Sequence, residues 1–190
     1  MRLFNPYHAF FLALPPSVRR DPATTPTAAE LLSPDWLAFK AAVAGHFAWA
    51  VPTDEAIAAI RRHAPSVVEI GAGGGYWAWL LRQAGVTVAA FDVAPPPFTW
   101  SEVRVGDAAA AGDHADKALF LCWPPWGAGM ATRALAAHGG RQVIYVGEWL
   151  GGAADPAFFA ALAAQFTCVE VVAIPQWFMR DDRLMVFERR

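Results

Sequence analysis

Apolar positions along this chain switch repeatedly between two spacings. Val67, Val68 and Ile70 form a β-branched run broken only by Glu69, and beyond a glycine-dense turn Trp77, Leu80 and Leu81 recur at helical spacing. The pattern predicts strand 66–71, a turn, and helix 76–84 stopped by Gly85. It then repeats. Val86–Phe91 reads as a second strand ending in Asp92, Glu102–Val105 as a weak third, Ala118–Cys122 as a fourth and Gln142–Gly147 as a fifth with Glu148-Trp149 at its end. Helix 128–138 separates the last two, and Asp155-Pro156 opens another with a capping residue followed by proline. Only ten residues, including Pro95-Pro96-Pro97, separate Asp92 from Val103, so no proper helix is predicted there. Segments 167–174 and 183–188, divided by Pro175 and Asp181-Asp182, close the pattern as an antiparallel pair.

The first third of the chain reads differently. Residues 1–32 are rich in Pro, Ala and Thr, and Pro15-Pro16, Pro22 and Pro26 block any long helix, which predicts an arm or wrapping segment. Asn5-Pro6-Tyr7-His8 interrupts the apolar residues after Met1-Arg2, and no small-x-small cleavage site follows, so the arm is expected to be retained. Ser33-Pro34 then starts helix 34–48 with Trp36, Phe39, Val43 and Phe47 on one face, and Thr53 caps a second helix that ends before Pro65. The expected organisation is a single globular unit: residues 1–52 form an arm and a lid-like helix, and 53–190 an α/β domain.

Alternating strands and helices imply a doubly wound, mainly parallel sheet of Rossmann-like α/β type, here with an antiparallel C-terminal hairpin. Ligands on such sheets bind outside the carboxyl ends of the strands. Glu69–Gly75, Asp92, Asp107, Cys122–Trp126 and Glu148-Trp149 all fall at those ends and are predicted to share one crevice.

Composition narrows the partners. The 190 residues are 56% hydrophobic, yet every apolar run is broken by charge or proline before it could cross a bilayer. The apolar excess suits a homodimer face or an aromatic pocket fed by nine tryptophans. A net charge of −2, with short basic pairs at Arg19-Arg20, Arg61-Arg62 and Arg189-Arg190, lacks the field for tracking nucleic-acid phosphates. Cys122 and Cys168 are the only thiols; they suit a reduced, cytoplasmic protein and supply no metal site with the scattered histidines.

The glycine spacing separates two cofactor chemistries. A dinucleotide fingerprint needs a third glycine where Tyr76 stands, whereas Glu69, Gly71, Gly73 and Gly75 form Glu-x-Gly-x-Gly-x-Gly. Together with Asp92, Gly106-Asp107 and the final hairpin, this resembles the class I S-adenosylmethionine (SAM) methyltransferases over roughly residues 54–190. The resemblance implies that Gly71, Gly73 and Gly75, with Tyr76 and Trp77, border SAM, and that Asp92 holds the ribose hydroxyls. By the same likeness Asp107, with Ala108, receives the adenine, Cys122 borders the cofactor, and Glu69 acts indirectly near the ligand's ammonium. Plain alternatives stand beside these roles: Asp92 as a solvated turn residue, Asp107 as a helix cap.

More closely, Glu69–Ala78, Cys122-Trp123-Pro124-Pro125, Gly147-Glu148-Trp149 and Phe47–Pro52 are similar to short methyltransferase-like proteins of unassigned substrate. Trp123-Pro124-Pro125-Trp126 resembles the Asn/Asp-Pro-Pro-aromatic motif of amino methyltransferases, but Trp123 offers a donor where that motif supplies an acceptor. Trp123, Pro124, Trp126 and Trp149 are the expected substrate residues; Trp49, Trp77 and Trp177 could join the pocket wall or pack in the core. Glu148, then His46, are the candidate bases, each with a structural alternative. The expected activity is methyl transfer from SAM to a small molecule, releasing S-adenosylhomocysteine (SAH). The alternatives are cyclisation or aminocarboxypropyl transfer releasing methylthioadenosine, and ligand binding without turnover.

Overall fold

The computed structural model describes residues 3–19 and 33–190. Arg20, Pro22 and Pro26, read above as parts of the arm, lie outside the described residues. Among the described residues the chain forms six α-helices and seven strands. In chain order the helices are α1 (Pro6–Ala13), α2 (Pro34–His46), α3 (Asp54–His63), α4 (Tyr76–Gln83), α5 (Met130–Ala137) and α6 (Pro156–Gln165), the first four of which share one core. The strands are β1 (Ser66–Ile70), β2 (Thr87–Asp92), β3 (Arg104–Val105), β4 (Ala118–Cys122), β5 (Gln142–Glu148), β6 (Phe166–Ala173) and β7 (Asp182–Arg189).

The seven strands form one sheet in the order β3-β2-β1-β4-β5-β7-β6. Strands β1 to β5 pair in parallel, and β7 runs antiparallel to both β5 and β6. The strand order reverses between β1 and β4, where a crevice opens at the carboxyl ends. Side-chain alternation supplies both faces: Val67, Phe120 and Ile144 pack toward α1, α3 and α4, whereas Val68, Leu119, Leu121 and Val143 pack toward α5 and α6. No helix fills the link after Asp92, and β3 shrinks to the pair Arg104-Val105 because so short and proline-rich a link leaves little chain to lie flat along β2. The alanine-rich stretch Ala108–His114 is a 3-10 helix.

The arm contains a helix that the proline count obscured. Asn5 Oδ1 accepts the His8 N–H at 3.1 Å and Pro6 occupies the first turn, the same cap-and-proline device as at Ser33-Pro34. Its inner face enters the core through Tyr7 and Phe11. The Tyr7 N–H donates to Tyr76 Oη at 3.0 Å, that hydroxyl donates to Asn5 Oδ1 at 2.8 Å, and the Trp177 indole donates to Tyr7 Oη at 3.0 Å across 170 positions of sequence. Asp155 departs from expectation in the opposite way: it makes no side-chain cap on α6 but accepts the Gly127 N–H at 2.8 Å, fixing the loop after β4.

Among the described residues, no helix is long and apolar enough to cross a membrane.

Candidate functional site

The turn after β1 is suspended from the end of β2. The N–H groups of Gly71 and Ala72 both donate to the Phe91 carbonyl, at 2.8 and 3.0 Å. Gly73 N–H donates to Asp92 Oδ2 at 2.8 Å, and Ala94 N–H donates to Asp92 Oδ1 at 2.9 Å. Each carboxylate oxygen therefore keeps lone-pair capacity after binding its amide. Gly73 has φ +52°, and a Cβ there would meet nothing within 4 Å. Its backbone faces open space.

That space is a cavity of about 740 Å³ at the strand ends. On the β1–β2–β3 side it is lined by Glu69, Gly71, Gly73, Asp92, Asp107 and Ala108, with Tyr76 and Trp77 from the start of α4. Cys122, Trp123, Pro124 and Pro125 line it from β4, and Ala41, Ala44, Gly45 and Ala48 border it from α2 and the residues just after. The structure thus brings the glycine turn, both aspartates and the β4 tail to one crevice.

Glu69 is 2% exposed and its Oε2 has no partner. Burial pushes its carboxyl up to about 8; the nearby Asp92 adds to this, while Arg82 and the Ala78 N–H oppose it. Asp107 Oδ1 accepts the Ala109 N–H at 2.9 Å, so the helix-cap reading holds while the residue also lines the cavity. Burial raises the Cys122 thiol well above its ordinary range, with Glu69 and Asp182 adding to the effect, which keeps it protonated.

Trp123 sits in the left-handed region at φ +50°, a costly position for a side chain of this size. Two bonds hold it there: its N–H donates to the Val146 carbonyl at 2.8 Å and its indole N–H to Asp182 Oδ1 at 2.8 Å. The indole donor is therefore committed, and the residue offers the cavity a ring. Asp182 is fully buried, clamped by Gln176 through its own backbone N–H and carbonyl, and its Oδ2 is unpartnered. Burial pushes its carboxyl up to about 7; the Trp123 bond, Lys40 and Arg180 oppose this and Glu148 adds to it.

Other residues predicted from sequence stand elsewhere. Gly75 does not line the cavity; it caps α4 at φ +70°, where a Cβ would lie 2.7 Å from Val103 Cγ2. Glu148 is a clasp: Oε2 accepts from Gly152 N–H at 3.0 Å and faces Arg180 Nη1 at 3.4 Å, and Oε1 accepts from Asp181 N–H at 3.2 Å. His46 stacks on Phe98 and its carbonyl accepts the Trp100 indole N–H at 2.7 Å, outside the lining. Trp149 stacks on Phe187 and meets Phe159 edge-on in the core of the opposite face, Trp126 is 67% exposed, and Trp177 is buried against Tyr7 and Phe11. A strand-end position in sequence gave no measure of which way each ring turns.

Sequence reasoning missed Arg133, Arg180 and Met130 in the lining and Asp182 behind it. In the sequence Asp181-Asp182 only divides the last two strand segments, and the antiparallel register that sets Asp182 opposite Glu148 reveals its place.

The chain matches no protein-family model and no curated protein. Among solved structures it is similar to a Burkholderia thailandensis 1,6-didemethyltoxoflavin-N1-methyltransferase crystallised with 1,6-didemethyltoxoflavin and SAH, at 18% identity and TM-score 0.55, covering 87% of this chain and 92% of that one. It is also similar to an NADB-Rossmann superfamily protein from Streptococcus agalactiae, at 14% identity and TM-score 0.51, covering 74% of this chain and 70% of that one. The fold is the Rossmann-like methyltransferase type, with its mostly parallel seven-stranded sheet and antiparallel C-terminal strands.

Proposed function

We propose that the protein is a SAM-dependent methyltransferase acting on a small molecule in an aromatic-lined pocket, with SAH as product. The observation that carries this reading is the junction of Gly73 and Asp92 at the cavity wall, where an open glycine backbone meets a carboxylate with spare acceptor capacity. The residues fit an adenosyl sulfonium ligand. Asp92 suits a vicinal diol, Asp107 has a second oxygen for an amino donor, and Glu69 Oε2 is an unpartnered acceptor for an ammonium. A Burkholderia enzyme of the same fold was crystallised with SAH, which makes that nucleoside the first ligand to test.

When bound, SAM supplies an electrophilic methyl group. The chain's own contribution is to hold two reactants in one enclosed space, where proximity alone can reach effective molarities of about 10⁵ M or more. Ala41, Ala44 and Gly45 of α2, and Ala48 just after it, border the cavity with small residues. Trp123, fixed by Asp182 and by β5, gives the acceptor a rigid face.

On the β4 side the ionisable lining residues among those described are Cys122, Arg133 and Arg180. Cys122 is kept protonated by burial, the two guanidiniums carry donors and no acceptor, and Glu148 is occupied in its clasp. The acceptor must then arrive ready to react. The same observation favours a second reading, a binding protein without turnover, which would hold SAH yet form no product across a broad acceptor screen.

Calorimetric titration of the folded protein with SAM and SAH tests the principal reading. Saturable one-to-one binding supports it; no binding to wild type overturns it.

A further inference from the structure

The sheet order divides the cavity's charges. Glu69 in β1, Asp92 in β2 and Asp107 after β3 put three carboxyl groups on one side of the β1–β4 boundary. Across that boundary the lining carries Arg133 from α5 and Arg180 from the loop before β7. The Arg180 guanidinium lies 5.2 Å from the Trp123 ring centroid, and the Trp49 ring stands 6.0 Å from Trp123, tilted by 31°. Pro124 and Pro125 add flat apolar surface. Glu148 orients Arg180 at 3.4 Å but shares its oxygens with two backbone amides, and Lys40 is buried within the same field of Arg180, Asp182 and Glu148.

We propose, resting on the adenosyl reading above, that this half of the cavity takes a planar aromatic carboxylate, its ring against Trp123 and its carboxylate met by Arg180 and Arg133. A flat ring suits the aromatic and proline walls, and a guanidinium fork matches the two oxygens of a carboxylate. Complementary potential would bring such an anion to the arginine side and turn it away from Asp92 and Asp107.

The test is calorimetry on SAH-saturated protein with matched pairs of rings: 2-naphthoate against 2-naphthamide, and quinoline-2-carboxylate against its amide. Each carboxylate is expected to bind at least tenfold tighter than its amide. Arg180→Gln should shrink that ratio to about threefold or less while leaving SAH affinity within twofold of wild type, Arg180→Lys should restore part of it, and Arg133→Gln should lower it by a smaller factor. Amides binding as tightly as the acids, no saturable binding of either acid, or a ratio that survives both glutamine variants would overturn the proposal with SAH binding intact. If SAH itself fails to bind, the adenosyl reading falls and this inference falls with it.

Discussion

The indole N–H of Trp123 donates to Asp182 Oδ1 over 2.8 Å, tying a cavity wall in a left-handed backbone conformation to a carboxyl with no solvent exposure. The bond crosses 59 positions of sequence and joins the end of β4 to the start of β7. It makes the shape of the pocket depend on the state of one buried acid.

That dependence has a sign. Asp182 is raised from 3.8 to about 7 and Glu69 from 4.5 to about 8, both chiefly by burial, so the folded chain binds protons that the unfolded chain has already released. Their contribution is full below the unfolded values and is lost as pH rises through the folded ones. The unfolding free energy is expected to fall between pH 5 and pH 8 by on the order of 1 kcal/mol per pH unit, and the melting temperature to fall with it. Asp182→Asn should flatten the profile up to about pH 7, and Glu69→Gln up to about pH 8. Thermal unfolding across buffers of equal ionic strength measures both. Lys40, lowered to about 8 chiefly by burial, acts in the opposite sense only above that pH.

Removing the Asp92 carboxylate takes away both its ligand-facing lone pairs and the acceptor for Gly73 N–H. Asp92→Ala is expected to weaken SAH binding by roughly 10- to 100-fold, the range for losing charge-assisted hydrogen bonds. A surface control such as Glu102→Ala should bind as wild type in the same titration.

Gly73 and Gly75 look equivalent in the sequence motif but should fail differently. Gly75→Ala drives a Cβ into Val103 at φ +70° and is expected to cost roughly 2–5 kcal/mol of stability by denaturant titration. Gly73→Ala meets no protein atom within 4 Å, so roughly 1–2 kcal/mol of backbone strain is expected, with SAH binding lost to the methyl group in the cavity.

Tyr76 lines the cavity while its hydroxyl anchors α1 through the Tyr7 amide and Asn5. Tyr76→Phe leaves a buried N–H without its acceptor and should cost about 1–3 kcal/mol. Hydrogen exchange at the Tyr7 amide should speed up far more than exchange in β4 or β5 if the loss is local to α1.

Much of this site could be read from residue order because the sheet rule is positional. Parallel strands put their carboxyl ends at one rim, so Glu69, Asp92, Asp107 and Cys122 could be grouped without coordinates. Orientation is another matter. Glu148 and Trp149 end β5 as expected, yet one turns to clasp the loops carrying Gly152 and Asp181, and the other into the core against Phe187. Gly75 obeys the motif spacing but serves helix geometry and Val103 packing. Arg180 and Asp182 were invisible because their importance comes from an antiparallel pairing with β5, a contact that local spacing does not encode. α1 could have been found: Asn5-Pro6 carries the signal that located α2.

The hydrogen bond from Trp177 to Tyr7 also imposes an order on assembly. On the ribosome, α1 emerges long before the loop that carries Trp177, so the Tyr7 hydroxyl must wait for most of the sheet to be synthesised before it finds that donor. Closing such a distant contact is entropically slow, which makes this last tie on α1 a late event in folding. Through Tyr76, which lines the cavity and also anchors α1, a change at the cavity wall would reach the helix whose tie to Trp177 closes late.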